Sequence, residues 1–211
     1  MATLQIVLAT TNKGKLRELA ALLSVEQFVV LGLDDFPEIG PIEENGTTFA
    51  QNALIKARTV SKATGLLSLA DDSGLQVDAL KGRPGVYSAR YGDTLTMLPG
   101  ETIDQRNQRK LLMEMSGVPE RLRTCRFVTS MACVRPDGRE LSIEGQWEGV
   151  LLTGPRGSNG FGYDPLFFDP EVGCSAAELS SEQKNARSHR GKALRQMLAR
   201  LPSFLQLPLL S

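Results

Sequence analysis

Leu66-Leu67-Ser68-Leu69-Ala70-Asp71-Asp72-Ser73-Gly74 runs from five mostly apolar residues straight into two adjacent carboxylates. A short apolar run bounded by turn-forming residues is the pattern of a strand buried on both faces. It predicts a strand over residues 66–70 that ends in an Asp-Asp-Ser-Gly turn. Bends after strands are where α/β proteins gather ligand groups, and two like charges there repel unless a cation or good solvation separates them. Magnesium answers that need, because it takes oxygen ligands, keeps several waters and bridges one or two carboxylates to phosphates. The plainer alternative is an Asx-type turn closed by Ser73 and Gly74.

Upstream, Gly65 closes a helix that begins at Thr48, where Thr48 and Gln51 have the spacing of a capping box. Phe49, Ala53, Ala57 and Val60 form its buried stripe, and Asn52 and Lys56 share another face. Glu43-Glu44-Asn45-Gly46 before it is an acidic turn, which offers a second pair of carboxylates. Residues 28–31 read as a short strand. Leu4-Gln5-Ile6-Val7-Leu8-Ala9 reads as another, followed by Leu16, Leu19, Ala20 and Leu23 at helical spacing. The predicted order is β-α-β-α-β. The link Thr10-Thr11-Asn12-Lys13-Gly14-Lys15 would turn backbone N–H groups and two lysines toward a helix start, which favours an anion. It lacks the GxxxxGK[ST] spacing, and alone it also fits a solvated helix start.

Downstream the pattern changes. An amphipathic helix is predicted over residues 103–115, then a strand with Cys125, Phe127, Met131 and Cys133 on one face. Pro136-Asp137-Gly138 turns the chain back into a strand with Leu141, Ile143 and Trp147 on one face, an antiparallel hairpin. A glycine-rich loop over residues 154–162 leads into Phe161-Gly162-Tyr163-Asp164. There a phenylalanine beside glycine can lie on a nucleobase and an aspartate can accept from ring or sugar donors. An ordinary hinge with two core aromatics has the same pattern. Ser188-His189-Arg190 opens a last helix marked by Ala193, Leu194, Met197, Leu198 and Leu201. His189 and Arg190 either cap that helix or donate to a carbonyl oxygen.

The 211 residues suffice for one large domain with a real core. Lys+Arg and Asp+Glu are equal at 24 each and aromatics are 6%, which argues against extended nucleic-acid binding. One histidine and three cysteines without a CxxC pair leave oxygen as the only ligand set for a metal. The odd cysteine count fits a reducing compartment, with the cytoplasm as default. No secretory signal or membrane span is visible, and the apolar tail over residues 204–210, broken by Pro208, is expected to pack on the body or on a partner subunit.

Taken together, six motifs in order resemble the Ham1-type non-canonical purine nucleoside triphosphate pyrophosphatases, or inosine triphosphatases. They are Ala9-Thr10-Thr11-Asn12-Lys13-Gly14-Lys15-Leu16-Arg17-Glu18, Asn52-Ala53-Leu54-Ile55-Lys56-Ala57, Ala70-Asp71-Asp72-Ser73-Gly74-Leu75, Pro84-Gly85-Val86-Tyr87-Ser88-Ala89-Arg90-Tyr91, Gly160-Phe161-Gly162-Tyr163-Asp164-Pro165 and Ser188-His189-Arg190-Gly191-Lys192-Ala193. The resemblance implies an α/β (mixed α+β) fold: one pyrophosphatase domain over residues 1–211, with an elongated mixed sheet flanked by helices and two lobes around a central cleft. It implies hydrolysis of ITP, dITP, XTP and dXTP to the monophosphate and pyrophosphate with Mg2+, by a cytoplasmic homodimer that cleans the nucleotide pool.

Carried onto this sequence, the resemblance makes Thr10, Thr11, Asn12, Lys13, Gly14 and Lys15 a triphosphate cradle, with Lys56 reaching the phosphates from its helix. Asp72 becomes the base and a metal ligand, beside Asp71 and one of Glu43 and Glu44, and Ser73 touches substrate. Phe161, Gly162, Tyr163, Asp164, Lys184, His189 and Arg190 hold the nucleoside end and phosphates, with His189 and Arg190 donating to the purine keto oxygen. Many family members carry glycine where Thr11 stands; a β-branched residue is poorer at positive φ, so a backbone N–H there would be aimed differently. Two other readings remain open: a purine nucleotide-binding regulator without turnover, and a related pyrophosphatase for modified pyrimidine or methylated nucleotides.

Overall fold

The computed structural model describes residues 4–23 and 28–205. Residues 1–3 and the packing of the tail from residue 206 onward lie outside the described residues. The first half follows the anticipated alternation, with strand β1 (Leu4–Leu8), helix α1 (Lys13–Leu23), strand β2 (Phe28–Leu31), helix α2 (Phe49–Thr64) and strand β3 (Leu67–Val77). Thr48 caps α2 by accepting from the Gln51 N–H at 3.2 Å, while the Gln51 side chain reaches back to the Thr47 N–H at 2.8 Å, one residue short of a reciprocal box. Gly65 ends α2 in the left-handed region at φ 67°, where a side chain would be strained.

Helix α3 (Ile103–Glu114), strands β4 (Thr124–Val134) and β5 (Glu140–Leu151), short strands β6 (Phe167–Asp169) and β7 (Cys174–Ser175), and helices α4 (Ser181–Arg187) and α5 (His189–Leu205) follow. The sheet order is β2-β1-β3-β4-β5-β6-β7. β1 pairs in parallel with β2, Leu4 opposite Phe28, and with β3, Ile6 opposite Leu67. β5, β6 and β7 pair antiparallel, so the sheet is mixed. No helix among the described residues is long and apolar enough to cross a membrane.

The chain divides into two compact units. The first joins the residues up to Asp72 to residues 129–145 and to the chain from Arg190 onward. It has two apolar clusters, one on each face of its strands. Leu67, Leu69, Met131 and Ile143 meet Leu19 and Leu23 of α1 and Leu194 and Met197 of α5. Val7, Ala70 and Ala132 meet Ala53, Ala57 and Val60 of α2. The second unit, residues 73–128 and 146–189, packs Phe127, Trp147 and Phe167 with Leu111 and Met115 around α3. Cys125 and Cys133 are buried, and burial pushes both thiols up, that of Cys133 to about 12, so they serve as apolar packing.

The anticipated turn at residues 71–74 is corrected. β3 continues for 11 residues through Asp71, Asp72, Ser73 and Gly74. The continuation is possible because Gly74 has no Cβ: one there would lie 2.4 Å from Ser88 Oγ and 2.5 Å from the Gly85 carbonyl oxygen. The same Oγ accepts from the Leu75 N–H at 3.0 Å.

Gly149 in β5 shows the same tightness, since a Cβ would lie 2.5 Å from the Phe167 ring. Gly149→Ala is therefore expected to destabilise by about 1–3 kcal/mol through overpacking. Scanning calorimetry should record a thermal midpoint lower by roughly 2–12 °C for a chain of this size.

Candidate active site

In a strand, neighbouring side chains point to opposite faces. Leu67 and Leu69 face α1 and α5 and Ala70 faces α2, so Asp71 falls to the first face and Asp72 to the second. Adjacent like charges thus project to opposite faces of the strand, and each has a cation in direct contact.

On the α1 and α5 face, Asp71 has no exposed surface. Lys15 Nζ lies 3.1 Å and Arg190 Nε 3.3 Å from its Oδ2, and Arg190 also pairs through Nη1 with Glu18. Burial alone would raise the Asp71 pKa, but the Lys15 ammonium and the Arg190 guanidinium hold it well below the usual carboxylate range. Burial lowers the Lys15 pKa against the pull of Asp71. Lys15 comes from the first turn of α1, where Asn12 Oδ1 accepts from the Gly14 and Lys15 N–H groups at 2.9 and 3.1 Å. The Asn12 N–H in turn donates to Thr10 Oγ1 at 3.2 Å. Lys13 and Thr11 are exposed, whereas the Lys15 ammonium is held on Asp71. Thr11 is not among the residues at positive φ, so the strain a β-branched residue would suffer there does not arise.

On the α2 face, Asn52 Nδ2 donates to Asp72 Oδ2 at 3.0 Å. Lys56 Nζ lies 2.9 Å from Glu44 Oε2 and 3.7 Å from Asp72 Oδ1, so the two carboxylates share one ammonium. Burial raises the Asp72 pKa, opposed by Lys56, Lys15 and the Asn52 hydrogen bond and reinforced by Glu44. Glu43 and Glu44 are both exposed, and Glu44 is the one whose carboxylate pairs with Lys56.

A carboxylate pair already aimed at one cation is a donor set suited to a hard divalent ion. Among the described residues no three His, Cys, Asp or Glu side chains gather as a metal cluster, so waters and substrate oxygens would complete the shell, as magnesium prefers. Asp71 does not join that set, because Lys15 and Arg190 already hold it on the other face.

In the second unit, Asp164 Oδ2 accepts from the Phe161 N–H at 2.8 Å and from Lys184 Nζ at 2.5 Å. The Lys184 ammonium stands 4.7 Å from the centroid of the Phe161 ring. Gly160 is required there, because at φ 77° its Cβ would lie 2.0 Å from Asp164 Oδ2. Tyr163 is a structural residue: it is buried, and its hydroxyl donates to the Ser88 carbonyl at 2.9 Å. His189 is buried and stacks on Phe127, centroids 4.9 Å apart. Ser73 is half-buried in β3, next to Asp72.

The structure thus brings together Lys15, Asp71 and Arg190, then Asn52, Lys56, Asp72 and Glu44, and then Phe161, Asp164 and Lys184. Arg190, expected at a purine edge, directs its guanidinium to Asp71 and Glu18 instead. Three contributors were not singled out from the sequence. Glu18 lies three residues after Lys15 on the same helix, a spacing that puts both on one face. Asp104 accepts from the Gly162 N–H at 2.7 Å and Gln108 donates to its carbonyl at 2.6 Å, and no local pattern marks either.

The chain is similar to known proteins over most of its length. A dITP/XTP pyrophosphatase from Nitratidesulfovibrio vulgaris is 58% identical over 204 residues, 97% of this chain and 99% of that protein. One from Geobacter sulfurreducens is 52% identical over 191 residues, 90% of this chain and 92% of that one. The solved structure of a HAM1 protein from Coxiella burnetii is 40% identical and superposes with a TM-score of 0.83 over 95% of this chain and 99% of that one. Residues 6–200 match the model of the Ham1 family, and the chain belongs to that family.

Proposed function

We infer that the chain hydrolyses non-canonical purine nucleoside triphosphates, dITP and XTP among them, to the nucleoside monophosphate and pyrophosphate. The observation that carries this reading is the convergence of Asp72 and Glu44 on Lys56, in a chain 58% identical to a dITP/XTP pyrophosphatase. Asp72 orients the attacking water and takes its proton, a role that suits a carboxylate whose affinity for protons is raised by burial. Lys56 and Lys15 offset charge on the departing pyrophosphate, so position and charge carry the catalysis. Asp72 and Glu44 would hold a divalent ion of magnesium type, which supplies positive charge against the phosphates. Asp71 is then a structural anchor for Lys15 rather than a ligand.

Thr11 and Lys13, which are exposed, with Thr10, Asn12 and Gly14 beside them, hold phosphate oxygens, and Ser73 touches substrate beside Asp72. Phe161, Gly162, Asp164, Lys184 and His189 hold the nucleoside, the Phe161 ring against the base. A homodimer in the cytoplasm acting on free nucleotide, not on nucleic acid or a membrane, belongs to the same proposal.

Pyrophosphate release across a panel of nucleoside triphosphates, with and without magnesium, tests the function. Release from ITP, dITP and XTP is expected only with the ion. ATP should be rejected by about 10⁴ in kcat/KM, since an amino donor at the six-position leaves the keto-binding donor unpaired. Comparable values for ATP and ITP would refute the selectivity, tight binding without release would favour a regulator, and release confined to pyrimidine or methylated nucleotides would favour the related pyrophosphatase.

The two aspartates should separate under mutation. Asp72→Asn is expected to lower turnover by about 10²-fold or more. Asp71→Asn takes the carboxylate from Lys15 and leaves Arg190 with Glu18 alone, and should destabilise by about 3–5 kcal/mol, a midpoint lower by roughly 6–20 °C. An Asp72→Asn protein with parental turnover would remove Asp72 as the base.

A further inference from the structure

Asn52 is 2% exposed, and both ends of its amide are engaged. Its Oδ1 accepts from the Gly46 N–H at 2.8 Å and its Nδ2 donates to Asp72 Oδ2 at 3.0 Å. A backbone N–H can only donate, so Oδ1 must face Gly46 and the amino group must face the carboxylate. The bond leaves Asp72 Oδ1 as the oxygen nearer Lys56. Gly46 ends the acidic segment that carries Glu44, and it fits against the amide without room to spare, because a Cβ there would lie 2.6 Å from Asn52 Oδ1. One helical side chain is therefore bonded to the Asp72 carboxylate at one end and to the segment bearing Glu44 at the other.

We propose that Asn52 is a positioning residue, a strut that sets the Asp72 and Glu44 carboxylates at the separation a divalent ion needs; the inference rests on the reading that these two carboxylates hold one. Carboxylate ligands depend on such outer hydrogen bonds, whose loss typically lowers metal affinity or activity about 10–100-fold. The helix supplies the rigidity, and Thr48 at its cap anchors the turn of α2 from which Asn52 projects.

The experiment compares the parent chain with Asn52→Leu, which keeps volume but has no amide, and Gly46→Ala, which keeps the amide but pushes on its oxygen. Thermal midpoint, calorimetric binding of Mn2+, kcat and KM are read for each. In both variants the Mn2+ Kd should weaken and kcat should fall by about 10–100-fold, with KM for the nucleotide within about threefold. A merely structural Asn52 would lower the midpoint and leave Kd and kcat of the folded protein within about twofold of the parent; that outcome overturns the proposal. Should one variant fail to fold, the other decides by the same limits. Asp72→Asn measured alongside keeps the two levels apart. If the parent binds no Mn2+, or Asp72→Asn binds it as the parent does, the metal reading itself fails. If Asp72→Asn loses Mn2+ while Asn52→Leu binds it normally, only the strut fails.

Discussion

The charge of Asp71, sealed inside the first unit, organises what surrounds it. Lys15 arrives from α1 and Arg190 from α5, and Glu18 returns to Arg190, so four alternating charges tie two helices to one strand. Removing ions from water costs several kcal/mol each, and mutual attraction offsets that only when the geometry is complete. Apolar contacts of Leu19, Leu23, Leu194 and Met197 hold the helices against the sheet without preferring one angular setting. The ion pairs add direction, and they deliver an ammonium to the first turn of α1.

Much of this was legible before the structure. Period 2 and period 3.6 alternate cleanly through the first unit, and Gly65 and the Pro136-Asp137-Gly138 turn mark the breaks. The stripe of Phe49, Ala53, Ala57 and Val60 is buried as the spacing required, which left Asn52 and Lys56 to face Asp72 and Glu44. The end of β3 was not legible. Asp, Ser and Gly favour turns, and that local preference yields here because the compensating charge comes from Arg190, 119 residues away. For the same reason Arg190 looked available for a base. β6, β7 and α4 are too short to show a period.

In the second unit, polar contacts rather than an apolar stripe hold the candidate nucleoside residues. Helix α3 opens with a reciprocal capping box between Thr102 and Gln105, then offers Asp104 and Gln108 to the two main-chain groups of Gly162. Helix α4 is anchored by Arg187 to Asp169, which also accepts from the Trp147 indole at 2.9 Å, so Lys184 projects from a helix bound to the core. A seven-residue helix has little intrinsic stability, and these anchors account for its persistence.

The alternation that parts Asp71 from Asp72 makes the length of β3 a stricter matter than its composition. Dropping Ala70, the one residue between Leu69 and Asp71, would invert both faces from that point on. Asp72 would then be turned toward Lys15 and Arg190, and the next residue, a serine, would inherit the place opposite Asn52 and Lys56. Point substitutions can each be absorbed on one face, whereas a frame slip in this strand exchanges scaffold for chemistry in one step.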